Sequence, residues 1–215
     1  IEHPVEYYNN NVRGSKNLLE CMREASVNFL IFSSSACVYG NPSNNKALTE
    51  KSPVNPINPY GQSKLIVENL IQSESRKCSG VKFVSLRYFN PIGADPSGII
   101  GENPTARKPE NLIPYLLKVA SGELETLHVF GNDYQTPDGT AIRDYIHIID
   151  LAQAHLATLE YIMQEADEVD KIDKIDKDEI DKIDEVVSEP KGYDVINIGT
   201  GKGYSVLEVI SAFEN

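Results

Sequence analysis

The 215-residue sequence holds three cysteines, Cys21, Cys37 and Cys78, an odd number with no CxxC spacing. That excludes a disulfide framework and a thiolate zinc site, and it fits a reducing compartment, so the expected location is cytoplasmic. No apolar run approaches the roughly 18 residues a membrane helix needs. The four histidines, His3, His128, His147 and His155, form no HExxH pair, so no metal site is expected. No GxSxG is present, which removes the nucleophile elbow of a Ser-His-Asp hydrolase. Bases are outnumbered, 20 against 32 acids, for a net charge of −12. Such a chain is a poor partner for nucleic acid or for anionic membrane.

The acidity is local. Between Glu165 and Glu189, 12 acids and four lysines give −8, which leaves −4 for the other 190 residues. Within that stretch Asp-Lys-Ile recurs from Asp170 to Asp184. It reads as a solvated helix or disordered insertion in a surface loop, or as an acidic docking segment. A normal strand pattern resumes after it, so the segment looks inserted into a complete fold.

The rest of the chain alternates helix and strand. Val5 to Ala25 has apolar residues at helical spacing, Asn28 to Ser35 is an apolar run without in/out alternation, Tyr60 to Gln72 is helical, and Val81 to Tyr88 is a second strand. Gly93 to Pro109 is a Gly- and Pro-rich loop. Asn111 to Ala120 predicts a short helix, Thr126 to Phe130 a short strand, Ile148 to Met163 a strong helix, and Tyr193 to Ile198 a strand. Ser205 with Glu208 three residues on is a capping-box pattern opening the last helix. The expected fold class is α/β: a partial doubly wound Rossmann-type sheet interleaved with a smaller substrate-binding part. Residues 1–90 are expected to form part of a dinucleotide-binding domain. Residues 91–215 are expected to hold mostly substrate-binding segments plus returning Rossmann elements, with the acidic insertion at 165–189.

The chemistry concentrates in two places. Tyr60 and Lys64 stand four apart at the start of a helix and share one face. A free tyrosine, pKa about 10, is a poor base at neutral pH, and bringing it toward 7 takes roughly 4 kcal/mol. A nearby ammonium favours the phenolate. Upstream, Ser33, Ser34 and Ser35 end a buried strand, and in a parallel sheet that end faces the ligand crevice. Hydroxyls there can bind a substrate oxygen and relay a proton. Ser, Tyr and Lys together describe a hydroxyl–carbonyl redox site.

Phe32-Ser-Ser-Ser-Ala-Cys-Val-Tyr-Gly40 and Asn58-Pro-Tyr-Gly-Gln-Ser-Lys64 resemble the active-site strand and helix of the extended short-chain dehydrogenase/reductase family. Arg87-Tyr-Phe-Asn-Pro-Ile-Gly-Ala94 narrows the resemblance to the nucleotide-sugar epimerases. The stretch from Phe130 to His147 is similar to their UDP-glucose 4-epimerase branch. The likeness covers almost the whole chain outside the acidic insertion. It implies NAD as cofactor and a UDP-sugar as substrate, with UDP-galactose and UDP-glucose interconverted by oxidation at C4, rotation of the keto sugar and re-reduction.

Roles follow by the same resemblance. Tyr60 takes the proton of the sugar 4-hydroxyl, Lys64 holds the nicotinamide ribose and depresses the Tyr60 pKa, and Ser35 bonds the sugar oxygen. Asn10, Ser33 and Tyr88 match cofactor contacts. Asn90, Asn111, Leu112, Phe130, Arg143 and Tyr145 match substrate contacts, Phe130 on a uridine-binding strand and Arg143 on the diphosphate, for which the competing reading is a surface ion pair with Asp144 or Asp150. A homodimer is expected. Gly199-Thr-Gly-Lys-Gly203 lacks the spacing of a phosphate loop and reads as a structural turn.

The family's glycine-rich dinucleotide fingerprint does not occur in these residues. The chain starts at Ile1 within a helical pattern and is expected to be an internal fragment of a longer polypeptide. Two other readings stand beside the first. One is a truncated, non-catalytic remnant that only binds nucleotide-sugar; the other is a UDP-N-acetylhexosamine or pentose 4-epimerase.

Overall fold

The structure is a computed structural model that describes residues 4–41, 46–78, 80–101, 109, 111–172 and 192–214. The acidic segment beyond Ile172 lies outside the described residues. The chain divides into two compact units. Unit 1 comprises Ile1–Tyr88 and Ala152–Ile198, and unit 2 comprises Phe89–Leu151 and Gly199–Asn215.

Unit 1 is built on three strands: β1 (Phe29–Ser35), β2 (Lys82–Tyr88) and β5 (Tyr193–Ile198), in the order β1-β2-β5 and all parallel. The central strand β2 is buried through its first six residues, which is why its sequence shows no in/out alternation. Helices cover both faces. On one face α2 (Gly14–Glu24) and α3 (Pro59–Ser75) bring Leu19, Met22, Val67 and Ile71 against Phe83. On the other, Ile162 of α5 (Ile148–Ile172) packs with Val84 and Leu86. The register places Ser35 opposite Tyr88 and Tyr88 opposite Ile198, so the three carboxyl ends finish on one row.

The first helix is broken in character. It opens as α1 (Pro4–Tyr7), passes through a π-helical turn at Tyr8–Arg13, and continues as α2. The turn spans Asn9, Asn10 and Asn11, all weak helix formers. Its wider winding lets the Asn11 side chain donate to Ser63 Oγ on α3 at 2.9 Å, and the Tyr8 hydroxyl donate to Gln62 at 3.2 Å.

Unit 2 has short strands: β3 (Asn90–Ile92), β4 (Ile142–His147) and β6 (Gly203–Ser205). β3 pairs parallel with β4, and β4 pairs antiparallel with β6. Its helices are α4 (Leu112–Ala120) and α6 (Val206–Glu214). The capping box of α6 forms: Ser205 N donates to Glu208 and Glu208 N donates to Ser205 Oγ, at 2.8 and 3.1 Å. The strand expected over Thr126–Phe130 does not form, and Phe130 is 86% exposed on irregular backbone. Its β-prone residues have no ladder partner among the described residues, and propensity without a partner does not make a strand.

Candidate active site

The site in unit 1 starts from the way α3 begins. Asn58, in extended conformation, accepts a hydrogen bond from Gly61 N at 2.7 Å, and Pro59 occupies the first turn, where its missing N–H costs nothing. Gly61 then passes against the 3-10 turn Ala36–Tyr39. A Cβ at that position would stand 2.7 Å from the Cys37 carbonyl oxygen, so only glycine lets the helix start this close to β1. Ser35 caps the 3-10 turn, accepting from Cys37 N at 3.2 Å.

Those constraints bring Ser35, Tyr60 and Lys64 together. Tyr60 is half-buried, and the Ser35 side chain is near enough to favour its phenolate. The Lys64 ammonium donates to the Ser33 carbonyl at 2.8 Å and lies 5.0 Å from the Phe32 ring centroid and 5.7 Å from that of Tyr60. Tyr7 meets the Tyr60 ring edge-on at 5.8 Å.

The Tyr60 pKa is raised. Burial is the largest cause, followed by the neighbouring Tyr88, with Cys37 and Tyr7 adding and the Ser35 side chain opposing. Burial also lowers the pKa of Lys64, whose charge is engaged by the Ser33 carbonyl.

The cofactor candidates lie around this cluster. Ser33 precedes Ser35 on β1, with its hydroxyl 3.4 Å from His155 Nε2 of α5. Tyr88 ends β2 opposite Ser35, with its ring 6.4 Å from that of His155. Asn10 sits exposed in the π-helical turn. Four residues escaped the sequence reading. Tyr7 and His155 are two of them. The others are Glu68 and Arg87, a buried ion pair on α3 and β2 with Nη2–Oε2 at 2.5 Å. Glu68 continues the stripe of Tyr60 and Lys64 at four-residue steps, which was the available clue.

In unit 2, Asn90 and Tyr145 are brought opposite each other by the β3–β4 register. Asn111 is the N-cap residue of α4 and Leu112 its first residue, although the Asn111 side chain makes no capping bond. Arg143 is exposed, and its guanidinium donates to the Ile142 carbonyl at 2.7 Å. Asp144 turns elsewhere: its carboxylate accepts from Thr200 N, Thr200 Oγ1 and Gly201 N at 3.0, 2.7 and 2.8 Å. The glycine-rich turn 199–203 therefore already holds a carboxylate of its own chain. A Cβ at Gly199 would stand 2.7 Å from Asp144 Oδ2, so the close approach needs the glycine. Among the described residues no group of three His, Cys, Asp or Glu could hold a metal ion, and no described helix is long and apolar enough to cross a membrane.

Known proteins resemble this chain in sequence and fold. A UDP-glucose 4-epimerase of Yersinia enterocolitica is 46% identical over 215 residues, covering all of this chain and 55% of that protein. The structure of a Bifidobacterium longum UDP-glucose 4-epimerase in complex with NAD+ and UDP matches with a TM-score of 0.80 at 44% identity, over all of this chain and 56% of that one. A Campylobacter jejuni UDP-Glc/GlcNAc 4-epimerase matches with a TM-score of 0.71 at 36% identity, over all of this chain and 56% of that one. The chain thus spans about half the length of the relatives it matches. Residues 1–172 fit the pattern of the NAD dependent epimerase/dehydratase family, and the chain belongs to that family.

Proposed function

We propose that this chain carries the catalytic residues of an NAD-dependent 4-epimerase that interconverts UDP-galactose and UDP-glucose, a reaction of galactose metabolism. The observation that carries the reading is the cluster of Ser35, Tyr60 and Lys64 at the carboxyl end of a parallel sheet. The donor set suits a nicotinamide dinucleotide: a half-buried ammonium with rotatable donors for a ribose, and Ser33 and Tyr88 on adjacent strand ends. Bound NAD supplies the hydride acceptor and, when oxidised, a positive charge that favours the Tyr60 phenolate.

Tyr60 accepts the proton of the sugar 4-hydroxyl as a general base and returns it after the sugar has turned. Ser35, close to Tyr60, holds the reacting oxygen and passes the proton. Lys64 orients the ribose and stabilises the phenolate. Asn10, Ser33 and Tyr88 hold the cofactor. Asn90, Asn111, Leu112, Phe130, Arg143 and Tyr145 hold the nucleotide-sugar, with the Arg143 fork suited to a diphosphate. A homodimer in the cytoplasm belongs to the same reading.

The test is conversion of UDP-galactose to UDP-glucose by the native polypeptide with NAD present. Tyr60→Phe is expected to lower kcat by about 10²–10⁴-fold with the fold intact. Undiminished turnover in that variant would remove Tyr60 from its role. UDP binding without turnover at saturating NAD would favour a non-catalytic nucleotide-sugar binder. Equal turnover of UDP-N-acetylglucosamine, the second sugar of the Campylobacter enzyme, would widen the substrate class.

A further inference from the structure

The buried polar set around Glu68 is used by none of the steps above. Glu68 Oε1 accepts from Ser34 Oγ at 2.5 Å and from Arg87 Nε at 2.9 Å, and Oε2 accepts from Arg87 Nη2 at 2.5 Å. Arg87 Nη1 donates to the Tyr39 hydroxyl at 3.0 Å, and that hydroxyl donates to Asn197 at 2.6 Å. Ser34, Glu68, Arg87 and Tyr39 are all buried. Five pieces of chain meet here: β1, the 3-10 turn, α3, β2 and β5.

Its members border the candidate site along the chain. Ser34 precedes Ser35, Arg87 precedes Tyr88, Glu68 lies one turn past Lys64 on the stripe of Tyr60, and Tyr39 ends the 3-10 turn that Ser35 caps. A buried ion pair is a poor way to gain stability alone, because apolar residues of similar volume often do as well or better. What a two-point guanidinium–carboxylate contact adds is direction, since it fixes distance and angle together. Here it fixes α3 against β1 and β2 at the level of the site.

We propose that Glu68, through Arg87, Ser34 and Tyr39, is a positioning residue that sets the placement of Tyr60 and Lys64 relative to Ser35, a role that rests on the reaction proposed above. The Tyr7 ring meets that of Tyr60 edge-on at 5.8 Å and the Lys64 ammonium lies 5.7 Å from its centroid, while Tyr88, Ser35 and Cys37 also bear on the charge of the phenol. A small shift of α3 changes their distances, so the phenol itself reports the placement.

The deciding comparison sets Glu68→Leu/Arg87→Met beside a control pair, Lys82→Met/Asp194→Leu. The control removes another ion pair of the same sheet, at the amino ends of β2 and β5, with Nζ–Oδ2 at 2.7 Å. Tyr60 titration is followed in ring-carbon-labelled protein, assigned by its loss in Tyr60→Phe, alongside kcat and KM of the native polypeptide. The Glu68/Arg87 double variant is expected to melt cooperatively. Its Tyr60 midpoint should move by more than about half a pH unit, and kcat should fall about tenfold or more with KM within threefold, as misplacement predicts. The control should move neither. An unmoved Tyr60 midpoint, or an equal movement in the control, overturns the proposal. The titration needs no turnover, so it decides even if the parent protein proves not to be an epimerase. If the apolar pair does not fold, Arg87→Lys decides instead: it keeps the charge but loses the fork, and an unmoved midpoint there overturns the proposal equally.

Discussion

The two ends of the sheet in unit 1 each hide an ion pair, and they hide it differently. At the carboxyl end a planar guanidinium meets both oxygens of Glu68, and hydroxyls of Ser34 and Tyr39 complete the set. At the amino end the Lys82 ammonium meets one oxygen of Asp194 and lies 5.0 Å from the Tyr161 ring centroid, while the Tyr161 hydroxyl donates to the same carboxylate oxygen at 3.0 Å. The Asp194 side chain is 25% exposed, against 4% for Glu68. An ammonium is a point charge that tolerates rotation, and a fork is not. The stiffer contact stands where Ser35, Tyr60 and Lys64 converge, and the looser one where the chain only enters the sheet.

Three substitutions sharpen or break this contrast. Glu68→Leu alone strands the Arg87 charge in the interior. Burial disfavours that charge, and only the bonds to Glu68 and Tyr39 hold its pKa above the ordinary guanidinium value. Removing one partner of such a pair costs about 3–5 kcal/mol, readable as a large drop in the urea midpoint. Lys82→Met should cost less, about 1–3 kcal/mol, because Asp194 keeps Tyr161 and some water. If the two losses prove equal, the distinction between the ends is wrong.

The smallest effect is expected at the surface, where Arg23 of α2 meets Glu74 of α3 at 3.0 Å. Arg23→Ala should change stability by less than about 1 kcal/mol. The hydrogen bond from Lys77, then the charges of Lys77 and Arg23, hold the Glu74 pKa below the ordinary carboxylate value. The stability this contributes is therefore present above the unfolded carboxylate pKa and is lost as pH falls through the lower folded value. Melting curves of parent and Arg23→Ala should draw together on acidification. A gap that widened toward low pH would contradict the assignment.

The sequence was legible wherever one chain segment carries its own pattern. β5 runs over Tyr193–Ile198, the span expected, and α3 exceeds its expected span by one residue at the start and three at the end. The capping box at Ser205 and Glu208 is local and could be read directly. What escaped was pairwise. β3 and β6 are three residues each, too short for any periodicity, and exist because β4 lies beside them. Thr126–Phe130 fails for the converse reason, having the composition of a strand and no ladder partner among the described residues. Glu68 and Arg87 are 19 positions apart, and only the closure of α3 onto β2 makes them one group. The burial that raises the Tyr60 pKa escaped for the same reason, since the spacing to Lys64 is visible in one dimension and burial needs three.

Asp144 gives the turn at Gly199–Gly203 a further property. A tethered carboxylate competes at an effective concentration that dissolved metabolites seldom reach, since linkage makes the encounter intramolecular. The backbone amides of Thr200 and Gly201 are thus saturated before any phosphate ester arrives. The turn is tied down by a carboxylate of its own chain, and β6 and α6, which follow it, start from an internally fixed point.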